Sequence, residues 1–206
     1  MDYLVTMTTH VPDGTSEEAV QDIRNREAAH SRELAAQGHL LRLWRPPLKA
    51  GEWRTLGLFA ADDGNGLEEV LASMPLRVWR TDDVTPLSPH PNDPAGHVDK
   101  PGPFAPDAAG SEFLITFTVT VPVGTAGETV DDATAREADR ARELAAQGHL
   151  LRLWMLPGQG HALGLWWAHD GDEMHALLAS LPMAPWMSVQ TTPLTRHPSD
   201  PAFTSS

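Results

Sequence analysis

The chain contains the same stretch of thirteen residues twice. Residues 32–44 and residues 142–154 both read RELAAQGHLLRLW, at an offset of 110 positions. Similarity continues on either side: LASMP at residues 71–75 corresponds to LASLP at residues 178–182, at an offset of 107. Thirteen consecutive identities are not a chance event, so the sequence is a tandem duplication of one domain. The change of offset indicates a three-residue deletion in the second copy, after Trp154.

The repeat also predicts the domain limits. We expect copy 1 in residues 1–88 and copy 2, with a C-terminal tail, in residues 111–206. Residues 89–110 lie between the copies and contain six prolines together with glycine and alanine. Such a composition offers little apolar surface and is typical of a stiff spacer, so we interpret it as a linker.

Each copy has the pattern of a βαββαβ unit. In copy 1 we expect strands at residues 3–11, 39–45, 53–61 and 79–87 and helices after residue 15 and at residues 66–74. Thr15 with Glu18 resembles a capping box, and Gly38 is suited to the end of the long helix. This order is that of the ferredoxin-like α+β fold, whose sheet carries helices on one face. We expect the bare faces of the two sheets to pack against each other.

Charge and composition exclude several classes of function. The 206 residues include 15 Lys and Arg against 28 Asp and Glu, a net charge of −13, which disfavours nucleic acid and membrane surfaces as partners. There is no cysteine for thiolate chemistry or disulfides. The sequence contains neither an apolar run long enough to span a membrane nor a signal peptide, so we expect a cytoplasmic protein that acts on a small molecule.

One glutamate lies on the apolar face of the long helix in each copy. Glu27 is seven residues from both Val20 and Leu34, and Glu137 has the same place in copy 2. Burial there raises the pKa of a carboxyl and makes its carboxylate a better base. His30 and Arg140, three residues further on, are candidate cations beside these glutamates. The alternative is a glutamate at the edge of the apolar face that reaches solvent or forms a structural ion pair.

The second strand of each copy carries a candidate pair for anion binding. Leu41 and Leu43 are expected on one face, and Arg42 and Trp44 on the other. A guanidinium and an indole N–H can together hold an anionic oxygen. The same interpretation applies in copy 2, to Arg152 and Trp154. The alternative is an arginine on an exposed face and a tryptophan in the core.

The histidines give no metal site. Their spacing contains no pair typical of zinc ligands, so we expect no metal. His90-Pro91 and His197-Pro198 end the two copies in similar stretches. We interpret these residues as tails that cover a pocket.

Several of these segments resemble muconolactone delta-isomerases. The resemblance rests on residues 8–12, on Glu27, on residues 34–38 leading into Leu43-Trp44-Arg45, and on residues 181–187 and 195–199 near the C-terminus. It covers nearly the whole chain outside the linker. The resemblance implies a ferredoxin-like, dimeric α/β barrel, which this chain would form as an intrachain pseudo-dimer. Members of the family assemble into large rings, so the resemblance leaves open whether this chain also forms a higher homo-oligomer.

The resemblance also implies a chemistry. A helix glutamate removes a proton next to a lactone, a dienolate forms, and the proton returns two carbons away, without a cofactor. Glu27 and Glu137 match that glutamate. Arg42, Trp44 and Arg45 are the best candidates to hold the dienolate oxygen in copy 1. The pathway, aromatic degradation or secondary metabolism, is left open.

The sequence departs from the family pattern at a few expected pocket residues, and these differences bear on which substrate is bound rather than on the fold. Arg45 corresponds to Met155 in copy 2, and Arg24 and Thr134 stand where the family carries a lysine. We therefore expect copy 1 to carry most of the activity. Two alternatives remain open: an isomerase or cyclase of a polyketide-like intermediate, and a non-catalytic barrel module that binds a small molecule.

Overall fold

The order of helices and strands repeats in the two halves of the chain. A computed structural model describes residues 1–96 and 110–203, so residues 97–109 of the expected linker lie outside the described residues. Copy 1 contains β1 (Asp2–Thr9), α1 (Glu17–Ala36), β2 (Leu40–Arg45), β3 (Arg54–Ala60), α2 (Gly64–Ser73) and β4 (Arg80–Pro89). Copy 2 contains β5 (Ser111–Val119), α3 (Gly127–Ala146), β6 (Leu150–Met155), β7 (His161–Ala168), α4 (Gly171–Ala179) and β8 (Met187–Arg196). The expected βαββαβ order is confirmed in both copies.

Each copy forms an antiparallel sheet with the ferredoxin-like order. In copy 1, β1 pairs with β3 on one side and with β4 on the other, and β2 pairs with β3. In copy 2 the pairs are β5 with β7, β5 with β8, and β6 with β7. Alternate residues of β1, namely Tyr3, Val5 and Met7, are buried in the core, as the period of two along a strand requires. The α+β class with two ferredoxin-like units is therefore confirmed.

The long helix α1 has a well-defined cap at each end. Ser16, rather than Thr15, is the N-cap, because its Oγ accepts from the Ala19 N–H at 3.2 Å. The expected capping box at Thr15 is wrong, since the Thr15 hydroxyl donates to the Pro12 carbonyl at 2.6 Å instead. Gly38 has a positive φ of +79°, and its N–H donates to the Ala35 carbonyl. A left-handed residue at this point ends the helix, as predicted.

A bulge modifies the alternation expected in β2. The pairing register with β3 shifts between Leu40 and Arg42. As a result Leu40 and Leu43 both belong to the core, whereas Leu41 is half-buried. The expectation that Leu41 and Leu43 share one face is therefore wrong, because a bulge changes the strand's phase by one residue.

The last residues of copy 2 belong to the unit formed by copy 1. Unit 1 consists of Met1–Leu87 and the chain from Thr195 onward, and unit 2 of Ser88–Leu194. In unit 1, Thr195 and Arg196 pair with Arg45 and Trp44 of β2. We call residues 195–203 the C-terminal arm and the corresponding residues 88–96 of unit 2 the linker arm. In the described part of the chain, no helix is long and apolar enough to cross a membrane.

Glycine at position 57 is required by the packing of unit 1. A Cβ there would lie 2.4 Å from Phe59 Cε2 and 2.9 Å from Met7 Cε, both in the core. We expect Gly57→Ala to destabilise the protein by about 1–3 kcal/mol through overpacking. Thermal unfolding measures the effect. Gly64→Ala is the control, because a Cβ at that position meets nothing within 4 Å; an equal loss in the two variants would contradict the packing argument.

Candidate functional site

Unit 1 contains a cavity of about 390 Å³ between helix and sheet. Its wall includes residues of α1, β1, β2 and β3, the segment that follows α2, and the C-terminal arm. Five of the lining side chains are charged or titratable: Arg24, Glu27, Arg45, Arg80 and His197. A pocket of this size with a few convergent polar groups is typical of a small-molecule site.

Glu27 is held at the wall of this cavity by two hydrogen bonds. Its Oε2 accepts from the Leu76 backbone N–H at 2.8 Å, and its Oε1 accepts from Arg80 Nη1 at 3.2 Å. Only 13% of the side chain is exposed. Burial raises the pKa of the Glu27 carboxyl, and it outweighs the Leu76 hydrogen bond and the Arg80 charge, which lower it. The expectation of a buried glutamate with a raised pKa is confirmed.

Arg80, at the start of β4, divides its charge between two carboxylates. Its Nε donates to Asp82 Oδ1 at 2.6 Å and its Nη2 to Asp82 Oδ2 at 3.1 Å, while Nη1 reaches Glu27. Arg77 also contacts Asp82. Arg80 and Asp82 side chains are each 2% exposed. Because Asp82 takes two of the Arg80 donors, Glu27 receives only part of the compensating charge.

Two further arginines line the cavity. The Arg24 guanidinium lies over the Trp53 ring, 4.3 Å from its centroid, which orients a side chain that is otherwise exposed. Arg45 lies on β2 and also lines the cavity. A cavity with one carboxyl and three guanidinium groups suits acid–base chemistry on an anionic ligand.

Arg42 and Trp44, predicted to bind the substrate, lie elsewhere. Arg42 Nε donates to Asp200 Oδ1 at 3.1 Å and Nη2 donates to Asp200 Oδ2 at 3.1 Å, and the guanidinium lies 4.8 Å from the Trp44 ring centroid. Among the described residues, the cavity is lined on this strand by Leu43 and Arg45. The anion that Arg42 holds is therefore a carboxylate of the C-terminal arm.

Copy 2 repeats this arrangement. Arg152 Nε donates to Asp93 Oδ1 at 3.2 Å, and its guanidinium lies 4.6 Å from the Trp154 ring centroid. Asp93 belongs to the linker arm. The second predicted pair thus also holds an arm in place.

His30 and Arg140, the predicted cations, both connect helices, and the charge of His30 also lowers the pKa of Glu27. His30 contacts Glu33 Oε2 at 2.9 Å and Ser73 Oγ at 2.8 Å, so it joins α1 to the last residue of α2. Arg140 likewise contacts Glu143 and Ser180. The cation in contact with Glu27 is Arg80, which the sequence analysis missed because no local pattern relates two positions 53 residues apart.

Glu137 has kept its backbone hydrogen bond but not the charges around it. Its Oε2 accepts from the Met183 N–H at 2.9 Å, and burial raises the pKa of its carboxyl. Strand register places Met187 opposite Val119, as Arg80 lies opposite Thr9 in unit 1. In the same alignment of the two copies, Val189 corresponds to Asp82 and Ala184 corresponds to Arg77. Arg80, Asp82 and Arg77 of unit 1 therefore have apolar counterparts in unit 2, whereas His30 corresponds to the charged Arg140.

His197 lines the cavity from the C-terminal arm. Burial and the neighbouring Arg45 charge lower the pKa of its imidazole to about 4, although Asp200 opposes the shift. The sequence interpretation of His197 as a tail residue over a pocket agrees with this position. His197 was not among the predicted site residues, although the His-Pro pair repeated at His90-Pro91 and His197-Pro198 was a signal for it.

The chain belongs to the muconolactone delta-isomerase family. The model of that family, "Muconolactone delta-isomerase", matches residues 1–93 and 111–200, so each copy is matched separately. One relative, Muconolactone Delta-isomerase of Cupriavidus pinatubonensis, is 32% identical over 87 residues, which are 42% of this chain and 95% of the relative. The Rhodococcus opacus enzyme of the same name is 30% identical over 88 residues, 43% of this chain and 95% of the relative. Family membership supports an isomerase.

A structural comparison extends to both copies. A heme-binding protein from Thermus thermophilus aligns with 96% of this chain and 92% of its own, with a TM-score of 0.59 and 10% sequence identity. At that identity the match shows a shared fold alone.

The raised pKa of Glu27 predicts a pH-dependent effect on stability. The folded protein binds this proton more tightly than the unfolded chain, whose carboxyl titrates near its ordinary value of 4.5. Ionisation therefore removes stability as the pH rises from 4.5 through the raised pKa. We expect the melting temperature of Glu27→Gln, relative to wild type, to increase between pH 4 and pH 8. Glu137→Gln should behave alike, and a difference that shrinks with rising pH would contradict the assignment.

Copy 2 supplies the variant that tests the role of Arg80. Replacing Arg80 by Met and Asp82 by Val gives unit 1 the residues found at Met187 and Val189. Arg80 lowers the pKa of Glu27 more than Asp82 raises it, so the double variant should raise this pKa further. Carboxyl ¹³C NMR titration measures the change, with Glu137 as an internal reference. An unchanged Glu27 titration would contradict the claim that the effect of the Arg80 charge on this pKa exceeds that of Asp82.

Proposed function

We propose that this protein is a cofactor-independent isomerase that moves a carbon–carbon double bond in an unsaturated lactone carrying a carboxylate, such as muconolactone. The observation that carries the proposal is Glu27, a largely buried carboxyl with a raised pKa on the wall of a cavity lined by three arginines. Family membership agrees with this activity.

The Glu27 carboxylate acts as the base and then as the acid. It takes the proton from the γ-carbon of the butenolide; the electrons of that C–H bond form the new double bond between the β- and γ-carbons. The former double bond shifts toward the carbonyl, which becomes a dienolate oxygen. Glu27 then returns the proton to the α-carbon. One carboxyl serves both transfers when they occur on one face of the ring, and a raised pKa brings its proton affinity closer to that of the substrate.

The arginines stabilise the charge as it moves. When Glu27 accepts the proton, its negative charge passes to the dienolate, so the total charge in the cavity is unchanged. Arg80 is fixed by Asp82 before the reaction begins, and such preorganised donors need no reorganisation in the transition state. Arg24 and Arg45, which are more exposed, are suited to hold the substrate carboxylate.

The residues around Glu137 favour a different function for the second copy. Glu137 is retained, but Met187, Val189, Ala184 and Met155 replace the charged residues found in copy 1. Without these charges neither the dienolate nor a carboxylate is stabilised at Glu137 to the same extent. We therefore assign most of the isomerase activity to unit 1 and a structural or binding role to unit 2.

Matched glutamate variants test this assignment. Removal of a general base costs about 10²–10⁴ in rate, so Glu27→Gln should lose that much turnover of muconolactone, and Glu137→Gln much less. The change in absorbance measures the reaction, and deuterium at the α-carbon reports how far the proton on Glu27 exchanges with solvent. Equal losses would show two working sites. A wild-type protein that isomerises no carboxylated butenolide would exclude the isomerase.

A further inference from the structure

The C-terminal arm places one titratable side chain in the cavity of unit 1. His197 lies on its wall next to Pro198 and Ser199, whereas the base, Glu27, comes from α1. Other charged groups around the cavity are Arg45 of β2, Arg24 of α1 and Arg80 of β4, with Asp200 in the arm. His197 is the only imidazole among the described residues lining it.

Hydrogen bonding identifies the form of this imidazole. The Ser199 backbone N–H donates to His197 Nδ1 at 3.1 Å. A nitrogen that accepts from an amide carries no proton, so the proton of the neutral ring is on Nε2. Burial and the Arg45 charge disfavour the imidazolium, and the pKa of His197 is lowered to about 4. At neutral pH the side chain is therefore an uncharged donor through Nε2–H.

The arm holds His197 in place through a buried anchor. Asp200, which is fully buried, binds Arg42 with both carboxylate oxygens and accepts from the Leu43 N–H at 3.2 Å. The Asp200 N–H donates to the His197 carbonyl, which closes a tight turn. Leu43 itself lines the cavity, so the same strand fixes both the wall and the arm.

From this geometry we propose that His197 is a further catalytic residue, whose Nε2–H donates to the lactone carbonyl oxygen as it becomes the dienolate oxygen. The assignment rests on the proposed isomerase function. A neutral N–H stabilises developing negative charge without giving up its proton, and it cannot compete with Glu27 as a base because Nε2 has no free lone pair. Asp200 and Arg42 are positioning residues that act through the arm.

Replacement of His197 tests the donor. We expect His197→Phe to lower kcat on muconolactone by about 10²–10³, the usual cost of one such donor. His197→Gln keeps an N–H and should retain more activity than His197→Phe. The matched control is His90→Phe, since His90 of the linker arm accepts from the Asn92 N–H in the same way at 3.0 Å. A His197→Phe variant that folds and keeps wild-type kcat would overturn the proposal.

A spectroscopic measurement keeps this test separate from that of Glu27. ¹⁵N NMR of the wild-type protein should show the Nε2–H tautomer of His197 at pH 7. The saturated lactone acid 4-carboxymethylbutanolide cannot isomerise, and its binding should shift the His197 Nε2 resonance but not that of His90. If the wild type isomerises no lactone, the isomerase fails, and this shift alone decides whether His197 contacts a ligand carbonyl. Absence of the shift at saturating analogue overturns the proposal.

The anchor provides the final comparison. Asp200→Asn and Asp93→Asn remove the same ion pair from the two arms, and both should destabilise the protein. Only Asp200→Asn should lower kcat, and adding His197→Phe to it should cause little further loss. Equal effects of the two variants on kcat would reduce Asp200 to a structural residue and overturn its positioning role.

Discussion

The buried ion pair between Arg42 and Asp200 is the interaction on which the site of unit 1 depends. Arg42 is 7% exposed and Asp200 has no exposed surface, so neither charge can be left without the other. Loss of one partner of such a pair typically costs about 3–5 kcal/mol. Since Asp200 follows His197 by three residues and Arg42 precedes the cavity residue Leu43, the pair joins the arm to the cavity wall directly. An arm held this way is a fixed part of the site.

Much of the fold was predictable because its signals are local. Alternating burial in β1, the glycine that ends α1 and the thirteen-residue repeat are each visible within a short window of sequence. The elevated pKa of Glu27 followed in the same way from helix periodicity. What failed was the assignment of partners: Arg42 was expected to face a ligand, but its partner is a carboxylate 158 residues away. Sequence periodicity indicates that a buried charged residue needs a partner, but only the tertiary structure determines which residue that partner is.

The pKa of Glu27 results from opposing effects of burial, hydrogen bonding and neighbouring charges. Burial favours its protonated form, while a backbone N–H and Arg80 favour the carboxylate. Full use of Arg80 by Glu27 would give a stable ion pair with a low pKa and a weak base. Burial is the main reason that this does not happen, and Asp82, which holds two of the guanidinium donors, adds a smaller effect in the same direction. The network thus fixes a cation beside Glu27 and still leaves the carboxyl with a raised pKa, a combination that helix periodicity could not indicate.

Residues that hold an arm are identical in the two copies, whereas several residues around the cavity differ between them. Residues 32–44 and 142–154 are identical, and they contain Arg42 and Arg152, each of which holds an arm aspartate. Two positions that differ in charge, Arg80 against Met187 and Arg45 against Met155, lie at the cavity of unit 1 or in the corresponding part of unit 2. The C-terminal arm that belongs to unit 1 is the end of copy 2. Copy 2 can therefore lose the charges around Glu137 and still be required for the site that contains Glu27.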